Sequence, residues 1–282
     1  MTATPSEAIV VTGASTGIGA AAAAELARLG YVVFAGVRSD ADAAVVAAFH
    51  ENVRALRLDV TAAADVAAAA DAVAASGLAL RGVVNNAGIA VAGPLEYLPV
   101  DELRRQFEVN LFGAVAVTQA FLPQLRPARG RLVFVGSIAG RLATPFVAPY
   151  SASKFALRAV TDALRVELSP FGLSVSLIEP GSVKTPIWQK GRDGKDRLLR
   201  LLGPAAMDVY GRAIDAVFAA TAHEERTGMP IERVTAAIAH ALTARKPKAN
   251  YLLGGPARAG SILAFFPAGL RDRAIKKSMR LP

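Results

Sequence analysis

The chain has 282 residues, 53% of them hydrophobic, enough for one large α/β domain or two small ones with a sizeable core. Cysteine is absent, which excludes disulfides, thiolate zinc sites and cysteine nucleophiles, and His50, His223 and His240 stand at no metal-binding spacing, so no metal site is expected. The net charge of +9 sits almost wholly from Arg245 onward, where nine Lys or Arg meet one acid; the remaining chain is nearly neutral, and no nucleic-acid partner is expected.

The first residues, "MTATPSEAIVV", lack a basic region followed by an apolar one, so no signal peptide is read there. No apolar run reaches 18 residues, so no membrane span is expected, and the protein reads as cytoplasmic. In chain order, strands are predicted at "AIVVT" (8–12), "YVVFAGV" (31–37), "VRALRLDV" (53–60), "RGVVNNAG" (81–88), "RLVFVGS" (131–137) and "LSVSLIEPG" (173–181). A last short strand, "NYLLG" (250–254), follows a helix predicted over about 230–245. Ala- and Leu-rich stretches of helical length lie between them. Such alternation predicts βαβ units and a doubly wound parallel sheet with helices on both faces. The near-continuous apolar strands fit burial on both sides. No linker or repeat divides the chain, so residues 1–282 read as a single domain. An insertion at about 185–222 and a basic C-terminal tail at about 245–282 are added to it.

The first strand runs into "TGASTGIG", with Gly13, Gly17 and Gly19, and then into a helix. A glycine-rich turn there lets backbone N–H groups approach a pyrophosphate at the positive end of the helix. The spacing is G-x-x-x-G-x-G rather than G-x-G-x-x-G, and a plain helix-capping turn would also produce it. Ligands of such sheets bind beyond the carboxyl ends of the strands. Asp59, Asn85, Asn86, Ser137 and the segment "PGSVKT" (180–185) all fall at those ends. Each has an innocent reading as a cap or turn residue; all of them at one edge does not. In "PYSASKFAL", Tyr150 and Lys154 stand four apart, which puts a phenol and an ammonium on one helix face.

With these motifs the chain resembles the short-chain dehydrogenases/reductases, closely over about 6–185 and more loosely beyond. The matching segments are "TGASTGIG", "LDV", "NNAG", "VNLFG" with Asn110, "GSIAG" with Ser137, "YSASK" and "PGSVKT", all in the family's order. The resemblance implies a Rossmann-type sheet of about seven strands and a nicotinamide cofactor. It implies a catalytic set of Asn110, Ser137, Tyr150 and Lys154, with Asn110 helping to hold a proton-relay water. Cofactor contacts are expected from Gly13, Ser15, Gly17, Ile18, Gly19, Arg38, Asp59, Val60, Asn86, Ala87, Gly88, Tyr150, Lys154, Pro180, Gly181, Val183 and Thr185. Reducing a ketone needs a proton for the nascent alkoxide, and oxidising the alcohol needs the same group as a base. Lys154 and the positive nicotinamide of the oxidised cofactor are together expected to lower the pKa of Tyr150 toward neutrality, Ser137 to bind the substrate oxygen, and Lys154 to hold the cofactor ribose. Serine hydrolysis is the weaker reading, because "GSIAG" is not a G-x-S-x-G elbow and no His accompanies it. A catalytically silent cofactor-binding regulator is the alternative function, against which stands the presence of all four catalytic residues.

Strand two ends "FAGVRSDAD", without an acid between Tyr31 and Arg38. An arginine there accommodates the 2′-phosphate of NADP, whereas a carboxylate would select NAD. NADP is therefore expected; Asp40, if the register shifted toward the ribose, would leave NAD as the alternative. "FGLSVSLIEPGSVKT" and "SIAGR" look most like the branch acting on retinoids, hydroxysteroids and hydroxybutyrate, which favours a secondary alcohol or ketone on a hydrophobic body. Trp188 lies in the insertion, read either as a lid or as an ordinary surface helix. Helices at about 101–124, with Leu103, Phe107, Leu111, Val115 and Val117, and at 150–169 are expected to face a partner copy in a homodimer or homotetramer. In the tail, an apolar cluster from Ile262 to Phe266 adjoins Arg271, Arg273, Lys276, Lys277 and Arg280. It reads either as a peripheral membrane anchor or, preferentially, as Phe265 and Phe266 packing over the substrate pocket.

Overall fold

The computed structural model of the chain describes residues 6–184 and 187–279. Seven strands form one parallel sheet: β1 (Glu7–Val11), β2 (Val32–Val37), β3 (Val53–Arg57), β4 (Ala79–Asn85), β5 (Arg131–Val135), β6 (Ser174–Pro180) and β7 (Asn250–Leu253). Their order is β3-β2-β1-β4-β5-β6-β7, the doubly wound α/β arrangement that the alternation predicts. Successive side chains of a strand point to opposite faces. In β1, Ala8 and Val10 enter the layer containing α3 (Ala63–Ala75), α5 (Gly113–Leu125) and α6 (Ala148–Glu167). Ile9 and Val11 enter the opposite layer, with α1 (Gly17–Arg28), α2 (Asp40–Ala47) and α8 (Glu232–Thr243). Val117 of α5 is wholly buried against the sheet, so it is not one of the partner-facing residues expected from the sequence.

Several strands stop short of the predicted ends, at Arg57, Asn85 and Val135. At β3 the cause is visible: the Asp59 carboxylate accepts from both the N–H and the hydroxyl of Thr61, a local turn that draws the chain off the ladder. The helix predicted over 101–124 is interrupted. After α4 (Val100–Phe107), residues Glu108–Phe112 form a π-helical turn that carries Asn110, and α5 follows.

The insertion forms α7 (Ile187–Thr227), broken at Gly203, whose φ of 74° no other residue adopts as readily. On either side of the break, Leu202, Ala206 and Ile214 make a small core with Val91 and Leu98. Tyr210 donates to Glu96 at 2.8 Å and meets Tyr97 and Phe146 edge to face. Thr185 and the side chain of Trp188 lie outside the described residues, as does Arg280. The basic segment from about 245 is not an appendage. β7 pairs with β6, Tyr251 opposite Ile178, and buries that tyrosine before α9 (Gly255–Leu263) and α10 (Ala268–Met279) complete the chain.

Candidate active site

The strand order reverses between β1 and β4, and at such a switch point the loops leaving the two strands diverge and open a crevice. Thr12 and Asn86 join the two loops. The Thr12 hydroxyl accepts the N–H groups of Asn86 and Ala87 at 3.0 and 2.9 Å. The Asn86 side-chain amide donates to the carbonyls of Thr12 and Gly13 at 2.9 and 3.1 Å. Gly13 has a φ of 63°, and a Cβ there would stand 2.8 Å from the Ala87 Cα. Thr12 was not among the residues singled out from the sequence; its signal is a hydroxyl where an apolar strand meets the glycine turn.

A cleft of about 1150 Å³ runs along the carboxyl edge of the sheet. At one end it is lined by Gly13, Ser15, Gly17 and Ile18 of the glycine turn, by Arg38 beyond β2, and by Asp59 and Val60 beyond β3. Its middle is formed by Asn86, Ala87 and Gly88, and its far end by Ser137, Tyr150, Lys154, Pro180, Gly181 and Val183. Residues contributed by later elements close the far end: Leu142, Val217 of α7, Ala257 and Gly260 of α9, and Met279. Gly19 and Asn110 do not line the cleft. A Cβ on Gly19 would overlap the Gly13 carbonyl oxygen, so this glycine permits the close packing of α1 against the turn.

Arg38 is an exposed basic residue at the glycine-turn end of the cleft, and its charge helps hold Asp59 ionised. Burial raises the Asp59 pKa, but the Thr61 hydrogen bonds and the positive charges of Arg38 and Arg57 outweigh it and leave a net lowering. Ser39 caps α2 by accepting the N–H of Asp42 at 3.1 Å and donates to the Asp42 carboxylate at 2.9 Å. Asp40 and Asp42 thereby sit in the first turn of α2, and neither lines the cleft.

At the far end, Ser137 caps a short 3₁₀ turn by accepting the N–H of Ala139 at 3.1 Å. That turn packs on α6 so closely that a Cβ on Gly140 would lie 2.7 Å from the Lys154 carbonyl oxygen. The contact sets Ser137 beside Tyr150, on whose phenol it acts. Lys154 is buried; its Nζ donates to the Val135 carbonyl at 2.8 Å and lies 5.7 Å from the centre of the Tyr150 ring. The Asn110 side chain is fully engaged elsewhere. It accepts from the Ile89 N–H at 2.9 Å and donates to the Ile89 carbonyl at 3.0 Å and to Ser153 at 3.1 Å. Ser153 in turn donates to the Tyr150 carbonyl, so Asn110 ties the π-helical turn to α6 one step from the tyrosine.

Burial pushes the Tyr150 phenol up, against a smaller lowering from the Ser137 hydrogen bond. Burial also lowers Lys154 to about 8.

Behind Ser137, Tyr150 and Lys154 lies an ion cluster that sequence reading missed. The Glu179 carboxylate, 1% exposed, accepts from Arg141 and Arg158, each at 2.8 Å, and Arg141 also reaches Ser261 of α9 at 3.3 Å. The turn after β5, α6, β6 and α9 therefore converge on one carboxylate. Its signal in the sequence is a lone acid in the otherwise apolar "LSVSLIEPG".

The site's shape and donors fit a dinucleotide. The opening N–H groups of α1 have no partners within the helix and face the cleft at Gly17 and Ile18. The volume exceeds the roughly 300–1,000 Å³ of an ordinary single-ligand pocket, leaving room for a second molecule beside the first. Fold and site together define a nucleotide-binding α/β protein with a serine, a tyrosine and a lysine gathered at the far end of its cleft. Residues 7–196 match the short chain dehydrogenase family, and the chain belongs to that family of oxidoreductases. It is 37% identical over 252 residues to an NADPH-dependent 3-dehydrocapnine reductase of Ornithobacterium rhinotracheale, covering 86% of this chain and 87% of that one. It is 33% identical over 266 residues to retinol dehydrogenase 5 of Mus musculus, covering 89% and 81%, which bears out the branch resemblance. A short chain dehydrogenase from Burkholderia cenocepacia solved in complex with NADP superposes with a TM-score of 0.72 at 26% identity, covering the whole of both chains.

Proposed function

We propose that this protein is an NADP-dependent reductase of a ketone on a hydrophobic body, with Tyr150 as the proton donor. The observation that carries the reading is the single cleft joining the glycine turn and Arg38 at one end to Ser137, Tyr150 and Lys154 at the other. The cofactor, when bound, supplies the hydride. Gly13, Ser15, Gly17 and Ile18 would hold its pyrophosphate, Arg38 the 2′-phosphate, and Lys154 the ribose nearest the reacting centre. Ser137 would donate a hydrogen bond to the substrate oxygen and fix it beside Tyr150, which passes its phenolic proton to that oxygen as negative charge develops. A phenol kept protonated by burial suits this direction better than alcohol oxidation, and a reductase among the relatives agrees with it. With its side chain committed to Ile89 and Ser153, Asn110 positions the tyrosine helix rather than touching substrate.

Apolar Leu142, Val147 and Val217 at the far end support a hydrophobic substrate. Arg38 on the cleft rim and Asp40 off it support NADP over NAD. A guanidinium meets a phosphate through parallel charge-assisted bonds, whose net worth corresponds to about ten- to a hundredfold preference. The exposed Phe112, Phe155 and Val166 on and beside α5 and α6 support a homo-oligomer through these helices; a monomeric mass at micromolar concentration would count against it.

The test follows NADPH absorbance with a panel of hydrophobic ketones. Tyr150→Phe should lower kcat by about 10²-fold or more, the range of a lost general acid. Undiminished turnover in that variant would overturn the mechanism. Absence of turnover with any ketone or alcohol, despite tight coenzyme binding, would favour the silent regulator.

A further inference from the structure

The α9–α10 hairpin has two different sides. Ala257 and Gly260 of α9 and Ser278 and Met279 of α10 belong to the cleft wall. The turn joining the helices is apolar and faces water: Ile262, Phe265, Phe266 and Leu270 are exposed, Phe265 to 87%. Neither phenylalanine lines the cleft, so the packing over the pocket that the sequence favoured does not occur. The reason is geometric. The cleft side of the hairpin is already filled by small residues and by the end of α10, and the turn points away from it.

Contiguous exposed apolar side chains mark a binding surface, and the charges around this one indicate what it meets. On α10, Leu270, Arg273 and Lys277 recur at helical spacing on the face opposite the buried Ile275. Lys276 lies beside them and Arg258 on α9. The acid of this hairpin, Asp272, is paired with Arg271 at 3.5 Å. A second copy docking face to face would oppose like charges, whereas an anionic lipid surface satisfies cations and phenylalanines together. Among the described residues no helix is long and apolar enough to cross a membrane, so contact by this hairpin would be peripheral.

We propose that the α9–α10 turn docks the protein on an anionic membrane surface, Phe265 and Phe266 entering the interface while Arg273, Lys276 and Lys277 lie against headgroups. The cleft wall formed by the same hairpin then opens beside the bilayer, where hydrophobic substrates partition. That last consequence rests on the reductase reading; the docking does not.

The full-length protein is sedimented with vesicles of phosphatidylglycerol and phosphatidylcholine, and with phosphatidylcholine alone. Binding should be at least about tenfold stronger on the anionic vesicles and should weaken as salt rises. Phe265→Ser with Phe266→Ser, and separately Lys276→Glu with Lys277→Glu, should each weaken it about tenfold or more, leaving turnover of a water-soluble ketone unchanged. No vesicle-dependent sedimentation, or full binding by both double variants, would overturn the proposal. So would a concentration-dependent dimer that the Phe265→Ser, Phe266→Ser variant abolishes without any vesicle binding, which would give the face to a second copy. Inactivity of the wild type on every ketone would remove the reductase reading without touching the sedimentation result.

Discussion

Lys154 is held where an ammonium is costly. Its Nζ has the Val135 carbonyl as a partner but no carboxylate, and burial lowers its pKa from 10.5 to about 8. Below pH 8 the group is charged in both folded and unfolded chains, and folding carries the whole desolvation penalty. Between about 8 and 10.5 the folded lysine is neutral while the unfolded one is still protonated, so the folded state binds fewer protons and gains stability as pH rises. Comparing wild type with Lys154→Met by urea denaturation at pH 7 and pH 10 isolates this effect. The difference should move in favour of the wild type at the higher pH, by up to about 3 kcal/mol. A pH-independent difference would show that the ammonium is better solvated than its enclosure implies. The Tyr–Lys pair was legible from its spacing of four. The depth of the pair's burial was not, because it depends on how β5, the 3₁₀ turn and the loops fold over it.

Elements around the site are registered by buried contacts rather than by their own propensities. Glu179 at the end of β6 grips the turn carrying Ser137 through Arg141 and the helix carrying Tyr150 through Arg158. Replacing it by Gln leaves two partly buried guanidiniums facing a neutral group. Loss of one partner from a buried ion cluster costs about 3–5 kcal/mol. Glu179→Gln should therefore lower the urea midpoint markedly; a midpoint within error of wild type would mean that the cluster is solvated. Gly140→Ala tests the same registration more locally. The added methyl must push the turn off the Lys154 carbonyl and with it Ser137 off Tyr150, so kcat should fall about tenfold or more with coenzyme Kd little changed. A fall in coenzyme affinity instead would place the disturbance at Lys154. Of these devices the sequence showed the Ser, Tyr and Lys but not the clamp. Nor did it show the π-helical turn, which adds one residue to a helix whose apolar spacing reads as continuous from 101 to 124. That insertion is stabilised by the Asn110 contacts with Ile89 and Ser153, across 21 and 43 residues of chain.

Over the whole molecule, strand–helix alternation was readable because both faces of the sheet are covered, which makes every central strand apolar and every connection a helix. The path of the C-terminal third was less so. α7, α9 and α10 owe their places to a secondary core and to the cleft wall, and their sequences resemble ordinary surface helices. The glycine-turn end of the cleft is built on β1 to β4 and the far end mainly on later elements, so under the proposed function coenzyme preference can be measured without knowing the substrate. A ligand that binds only the folded state at about 100 times its Kd adds roughly 2.7 kcal/mol, which for a chain of this size raises Tm by about 5 °C or more. NADH, binding about ten- to a hundredfold more weakly at the same concentration, should add only about 0.4–1.4 kcal/mol. The wild type should therefore melt several degrees higher with NADPH than with NADH. Arg38→Ala should close that gap by lowering the NADPH shift while leaving the NADH shift in place, since in the proposed reading the arginine contacts only the 2′-phosphate. Equal shifts in the wild type would mean that Arg38 does not reach the phosphate. Loss of both shifts in the variant would instead mean that Arg38 supports the loop beyond β2 and has no part in the choice of coenzyme.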